Sequence, residues 1–339
     1  MQLSEFDFPF DPSLVAAQPV IPRDRARLLC LDRTTQALTH RHVADLPSLL
    51  NPGDLLVVNN TRVMAARIAG KKLPSGTMVE VLFVKDLGHD VWEVMVKGTF
   101  HPGQVIEFDR RSRATIVKRD VTGTQVRIES PIPVPQLLRE SGRMPLPPYI
   151  KRPPSREDHD WYQTLFAKHE GAIAAPTAGL HFTAELLSRL EERAIQVAMI
   201  TLHVGPATFK PVTVERIEDH QMGAEYFEIG DETARAIART KQAGRRVVAV
   251  GTTVVRTLET AARETGAVAP MSGESRLFIT PGFQFKVVDA LMTNFHLPKT
   301  TLVMLVSAFA GTESMRKAYA EAVRERYRFY SYGDAMLIL

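Results

Sequence analysis

Five stretches of this chain place side chains that can give, take or hold a proton directly after short apolar runs. In VVAVGTTVVRTLE (247–259) the apolar run ends in Gly251, Thr252 and Thr253 and opens into an amphipathic pattern carrying Arg256. APTAGLHFT (175–183) sets Thr177, His181 and Thr183 before a helical pattern, and TLHVG (201–205) ends a continuous apolar run with His203. DALMTNFHLPKTTL (289–302) carries Asp289, Thr293, Asn294 and His296, and NNTRVMAAR (59–67) adds Thr61 and Arg62. Histidine exchanges a proton near neutral pH, so three of them at such junctions point to acid–base work in one polar site. A helix beginning near Val254 would offer free N–H groups and a partial positive charge to a carboxylate or to sugar hydroxyls, with Arg256 able to clamp an anion. The histidines lack the close spacing and carboxylate partner of a zinc site, so no metal is expected.

Such residues need a scaffold that brings strand ends together. RARLLCLD (25–32), DLLVV (54–58), QVAMITLHV (196–204), RRVVAVG (245–251) and LFIT (277–280) read as strands, with DAMLIL (334–339) as a last core strand. AELLSRLEERAI (184–195) reads as a helix with Thr183 as N-cap and Leu186, Leu187, Leu190 and Ala194 on one face. Helical patterns recur at 231–244, 254–266, 300–311 and 315–327, and 161–171 can also be helical. Strands alternating with helices imply an α/β body with both faces of its sheet covered, and ligands of such sheets bind outside the carboxyl ends of strands.

Between 78 and 129 the pattern changes to short runs rich in Val, Ile, Phe and Thr, at 78–86, 90–98, 103–109, 114–120 and 123–129. Turn residues separate them about every ten positions, which suggests a small antiparallel barrel or sandwich. RMPLPPYIKRPPS (143–155) is too rich in proline for a helix or a central strand and reads as a return linker. The expected organisation is a discontinuous α/β domain, 1–58 and 156–339, with a β domain inserted at 59–155.

Of the 339 residues, 45% are hydrophobic and 24% charged, which excludes wholesale disorder, and a single cysteine, Cys30, excludes an internal disulfide. The opening MQLSEFDFPFDP lacks the pattern of a signal peptide. The longest apolar run, TLVMLVSAFA (301–310), is half of the ~20 residues that a membrane helix needs. A cytoplasmic location without membrane contact is the expectation. The net charge of +4 is unevenly spread: residues 59–155 hold 16 Lys and Arg against 9 Asp and Glu, the rest 26 against 29. A basic block on an acidic body suits a polyanion, and Lys71, Lys72, Arg110, Arg111 and Arg113 are the candidate RNA contacts. No GxGxxG after a strand, no GxxxxGK[ST] and no GxSxG is present, which argues against a nicotinamide Rossmann fold, a P-loop and an α/β-hydrolase. The residues alone lead to a cytosolic α/β enzyme with a basic β insert acting on nucleic acid.

Eight ordered strings go further: ARLL (26–29), GDLLVVNNTRV (53–63), MPLPPYI (144–150), EGAIAAPTAGLHFT (170–183), TLHVG (201–205), AVGTTVVRTLE (249–259), PGFQFKVVDALMTNFHLPKTTLVMLVSAFAG (281–311) and YRFYSYGDAMLI (327–338). Together they resemble the S-adenosylmethionine:tRNA ribosyltransferase-isomerase family of queuosine biosynthesis. The resemblance implies a large α/β domain, with a central sheet flanked by helices, interrupted by a small antiparallel β-barrel. It also implies transfer and isomerisation of the ribosyl group of S-adenosylmethionine onto 7-aminomethyl-7-deazaguanine at the wobble position of tRNA, giving epoxyqueuosine, adenine and methionine. S-adenosylmethionine is then a consumed co-substrate, with no permanently bound cofactor, and the enzyme is expected to be a monomer.

On that basis His181, His203 and His296 form the expected acid–base pool, and Gly251, Thr252, Thr253 and Arg256 hold the donor's carboxylate or ribose. Thr61, Arg62, Thr177, Thr183, Asp289, Thr293 and Asn294 complete the cleft. The chain departs from the family's pattern at Asn60, where NDTRV has Asp, at Gly223, where His is common, and in GPATF (205–209), where GLGTF is usual. A tRNA methyltransferase using the same donor and a non-catalytic RNA adaptor are the competing readings.

Overall fold

The computed structural model describes residues 1–109, 111–120, 123–205 and 212–339. A nine-stranded sheet forms the body, in the order 271–275, 225–229, 196–202, 55–59, 247–250, 290–294, 335–338, 27–31, 38–42. Its centre is parallel: Leu55–Asn59 lies between Gln196–Leu202 and Val247–Val250, and Val247–Val250 pairs in parallel with Ala290–Asn294. Four strands therefore release their carboxyl ends at one edge. Ala335–Ile338 runs antiparallel to Ala290–Asn294, so the turn before it, Tyr330–Asp334, returns to that same edge.

Both faces of the sheet are covered, as the unbroken apolar strands require. Leu55 and Val57 pack into one core with the helices Asp231–Gln242, Thr252–Ala261, Thr301–Ala310 and Thr312–Arg324. Leu56 and Val58 point the other way, into a second core with Leu186 and Leu190 of the helix Ala184–Glu192. Thr183 caps that helix by accepting from the Leu186 N–H. Ala194 has left it, with φ +55°, and is exposed rather than on its buried face.

Between two body strands the chain closes a six-stranded barrel, ordered 123–129, 91–96, 77–86, 67–72, 105–107, 113–120. Alternate residues such as Ile68, Val81, Phe83, Val94, Ile116 and Val126 fill it. The expected α/β body with an antiparallel barrel is the architecture found. The strand Arg67–Lys72 was absent from the expected set because RIAGKK looks polar. Gly70 sits in it because a Cβ would come within 2.7 Å of the Ile106 side chain. The helix Val134–Ser141 lays Val134, Leu137 and Leu138 against the barrel core.

Two local expectations fail. Residues 161–171 hold no helix beyond the single turn Asp158–Trp161; the chain instead forms the strand His169–Ala172, parallel to Thr61–Val63. Tertiary pairing wins there, since Gln163 exchanges two side-chain bonds with the Val63 backbone and Asn60 O takes the N–H groups of Lys168 and His169. LFIT (277–280) forms no strand; the edge strand is Met271–Ser275. The Leu277 carbonyl is taken by the Arg256 guanidinium, not by a ladder. Among the described residues, no helix is long and apolar enough to cross a membrane.

Candidate functional site

The shared edge of the parallel strands opens into a crevice lined by residues from six segments. They include Thr177, Gly251, Thr252, Thr253, Thr293, Asn294 and His296, with Tyr149, Val204, Tyr330 and Ser331. Gly251 makes the turn possible: φ +97° lets the chain leave Val247–Val250 and enter the helix Thr252–Ala261 in one residue. That helix starts at Thr252, two residues before the expected Val254. Among the described residues no side chain caps its N-terminus, so its first N–H groups are left for a ligand. Thr293 and Asn294 end their strand, and Thr293 Oγ1 bonds His296 Nε2 at 3.0 Å.

The three expected histidines occupy different surroundings. His296 lines the crevice, and burial pushes its ring down to about 3. His181 lies behind Asn294, 3.3 Å from Asn294 Nδ2, and burial, partly opposed by the Asp334 carboxylate, pushes it down to about 4. Both are neutral imidazoles at pH 7. His203 stands beside Val204 at the neighbouring strand end. It is only half-buried, bonded through Nδ1 to Thr61 Oγ1 at 2.8 Å and stacked on Tyr226. Burial and the nearby His169 lower its pKa. Gly171 lies against the His203 ring so closely that a Cβ there would stand 2.7 Å from Nε2. Asn59 joins the two parts: it accepts from the Thr61 and Leu202 N–H groups and donates to the Leu202 carbonyl, and its Nδ2 lies 3.4 Å from Thr253 Oγ1.

Four expected site residues lie elsewhere. Asp289 precedes Ala290–Asn294, at the opposite edge of the sheet, where it takes Lys241 and the Val247 N–H. Thr183 is occupied as a helix cap and donates to Asp24. Arg62 projects to the exposed side of its strand and holds the Ala167 carbonyl. Arg256 is buried in an ion pair with Glu225, which also accepts from the Gly205 N–H, so its guanidinium braces the segment beside Val204. Of the departures from the family's pattern, Asn60 accepts from Thr201 Oγ1 at 2.7 Å within the sheet, a bond a carboxylate would also make. Residues 206–209 lie outside the described residues.

Tyr149, Tyr330 and Ser331 were missed as site residues. Tyr149 sits in the proline-rich linker, from which it reaches the crevice; its hydroxyl meets Ser331 at 2.5 Å and its ring touches Tyr330. Burial pushes its hydroxyl well above the ordinary phenol range. An aromatic inside a run of prolines, and the YSYG turn, were the available signals. Gly333 is required there, because a Cβ would fall 2.5 Å from the Arg328 carbonyl oxygen. Among the described lining residues none carries a formal charge, and no cluster of three potential metal ligands occurs among the described residues.

On the barrel, Lys71, Glu107, Arg113 and Glu129 stand opposite one another across successive strands, alternating in sign. Arg113 Nε donates to Glu129 at 2.9 Å. Lys72 is tied to the Thr99 carbonyl and lies over the Phe100 ring. Lys71 and Arg111 are exposed, and Arg110 lies outside the described residues.

A model of the family described as "Queuosine biosynthesis protein" matches residues 3–338. A relative named S-adenosylmethionine:tRNA ribosyltransferase-isomerase from Heliobacterium modesticaldum is 49% identical, with all of both chains covered. One of the same name from Moorella thermoacetica is 50% identical, also with all of both covered. A crystal structure of S-adenosylmethionine tRNA ribosyltransferase from Thermotoga maritima, 37% identical, superposes with a TM-score of 0.57 over 99% of this chain and 100% of that one.

Proposed function

The chain belongs to the queuosine biosynthesis protein family over nearly its whole length, and from that premise we propose how its crevice carries out the family's reaction. The enzyme is an S-adenosylmethionine:tRNA ribosyltransferase-isomerase: it moves the ribosyl group of S-adenosylmethionine onto 7-aminomethyl-7-deazaguanine in tRNA, releasing adenine and methionine as epoxyqueuosine forms. The observation that carries the site assignment is an uncharged, hydroxyl-rich crevice with two tyrosine rings, at the carboxyl ends of the parallel strands.

Each part of that lining suits a part of the donor. The open N-terminus of Thr252–Ala261 favours the methionine carboxylate. The hydroxyls of Thr252, Thr253 and Thr177 suit the ribose. The faces of Tyr149 and Tyr330 attract the sulfonium, a cation, or stack on the base. The sulfonium acidifies the adjacent 5′ C–H, so a base there generates a stabilised carbanion. Adenine leaves C1′ with a proton as the acceptor amine, losing a proton, bonds there. The C1′–O4′ bond opens to an iminium, the C5′ carbanion bonds to C1′, and the freed O4′ closes on C5′ as the epoxide and expels methionine. His203 is the proton carrier in this scheme, since its ring is half open and keeps more of its ordinary basicity than the two enclosed imidazoles. His296 and Thr293 orient substrate as neutral hydrogen-bonding groups.

In this division the body, 1–58 and 156–339, holds most of the chemistry, with Tyr149 of the linker and Thr61 reaching it from the insert, 59–155, whose barrel meets the RNA. Incubation with S-adenosylmethionine and tRNA bearing 7-aminomethyl-7-deazaguanine, followed by nucleoside mass analysis, is expected to yield epoxyqueuosine with free adenine and methionine. S-adenosylhomocysteine with a methylated nucleoside would make the enzyme a methyltransferase instead.

A further inference from the structure

We infer that Asn294 selects the base of the ribosyl donor, its side-chain carbonyl accepting a hydrogen bond from the exocyclic amino group of adenine. The inference rests on the ribosyl-transfer reading of the crevice. Asn294 is 1% exposed and lines that crevice at the end of its strand. Its Nδ2 donates to the Tyr330 carbonyl at 3.0 Å, and a carbonyl can only accept, so the amide cannot be reversed. The other amide hydrogen is directed to His181 Nε2 at 3.3 Å. Burial keeps the His181 ring neutral, so Nε2 is able to accept.

Both Asn294 donors are thus committed, and the orientation of its amide is set from two sides. Its Oδ1 is buried and has no partner among the described residues. A buried acceptor left open in this way is completed by a ligand donor. Tyr330, whose own carbonyl holds the amide, contributes its ring to the same crevice, so a purine resting on that ring presents its edge towards Oδ1. An acceptor-only group distinguishes amino from oxo at that edge: adenine donates, whereas hypoxanthine would bring an oxygen against Oδ1. The acceptor deazaguanine also carries an amine, but it arrives on a polymer, and so enclosed a position suits the small free substrate.

The test compares release of the free base from S-adenosylmethionine and S-inosylmethionine, with tRNA carrying the acceptor base present throughout. The unaltered enzyme is expected to favour the adenosyl donor by about 100-fold or more in kcat/KM. In Asn294→Ala that preference falls to within about fivefold; a ratio measured within one protein does not depend on the fraction folded. If Asn294→Ala is inactive with both donors, Asn294→Ser serves instead: a hydroxyl donates as well as accepts, so it no longer separates amino from oxo and the preference is expected to drop. Equal use of both donors by the unaltered enzyme, or a preference unchanged in the variants, overturns the assignment. So does a preference in the unaltered enzyme for the 2-amino group of the acceptor base that Asn294→Ala abolishes. No adenine from S-adenosylmethionine with the unaltered enzyme overturns ribosyl transfer itself, a separate failure.

Discussion

The crevice and the barrel surface hold polar residues in opposite ways. The crevice gathers uncharged groups from six distant segments, and its partners are chosen so that single atoms, such as Asn294 Oδ1, remain for substrate. The barrel gathers charges from neighbouring strands and spends some of them on one another, as Arg113 does on Glu129. A balance of +7 for residues 59–155 therefore overstates the cations free to meet phosphate, while the number of histidines says nothing of which ring can still take a proton. Chemistry belongs where groups are oriented and dry; long-range attraction belongs where they are exposed and screened.

The sharpest way to break this contrast is to strip one group from the strand ends beside the crevice. His203→Ala is expected to lower kcat by about 10² or more at saturating tRNA and donor, with tRNA affinity unchanged. Quenched-flow product formation beside equilibrium tRNA binding checks both. Equal loss of affinity would merge the two regions into one surface.

Arg256→Leu addresses stability behind the crevice. It removes the Arg256 guanidinium from the buried Glu225 carboxylate, a loss of about 3 kcal/mol by the usual cost of breaking such a pair. Urea unfolding measures it, and a loss below about 1 kcal/mol would mean that the pair is open to water. Gly171→Ala acts on fold and site together. Alanine is strained at φ +150° and its methyl must also displace the His203 ring, so kcat is expected to fall about tenfold and the melting temperature to drop as well.

Acidification gives a further separation. His181 and His296 are held near 4 and 3 when folded, against about 6.5 when unfolded. The unfolded chain binds more protons below pH 6.5, so stability falls progressively from about pH 6.5 towards pH 4. Melting curves across that window should show the slope, and His296→Asn should flatten it. The smallest effect belongs to the barrel. Charge reversal at Lys71 or Arg111 should each lower the salt slope of tRNA binding by about 1 for every phosphate left without its cation. Arg113→Glu should change it less, because Arg113 already answers Glu129.

Much of this architecture was legible in the letters. Continuous apolar runs such as LLVV and VVAV revealed buried parallel strands, and the polar groups after them marked the edge where Gly251, Thr253 and Asn294 meet. What stayed hidden depends on partners far along the chain. Nothing local tells that Arg256 turns to Glu225, or that Asp289 stands at the amino edge of its strand and not the carboxyl edge. Residues 161–171 favour a helix by pattern and lose it to pairing with Thr61–Val63. Tyr149 sits in a linker whose prolines rule out regular structure without showing where the tyrosine points.

Single-turnover formation of epoxyqueuosine at saturating tRNA and S-adenosylmethionine tests the separation of chemistry from docking most directly. His296→Ala is expected to form product at least about tenfold more slowly, while the double reversal Lys71→Glu with Arg111→Glu keeps the unaltered rate once tRNA saturates. A crevice variant that turns over normally beside a barrel variant that cannot, even when fully bound, would contradict it.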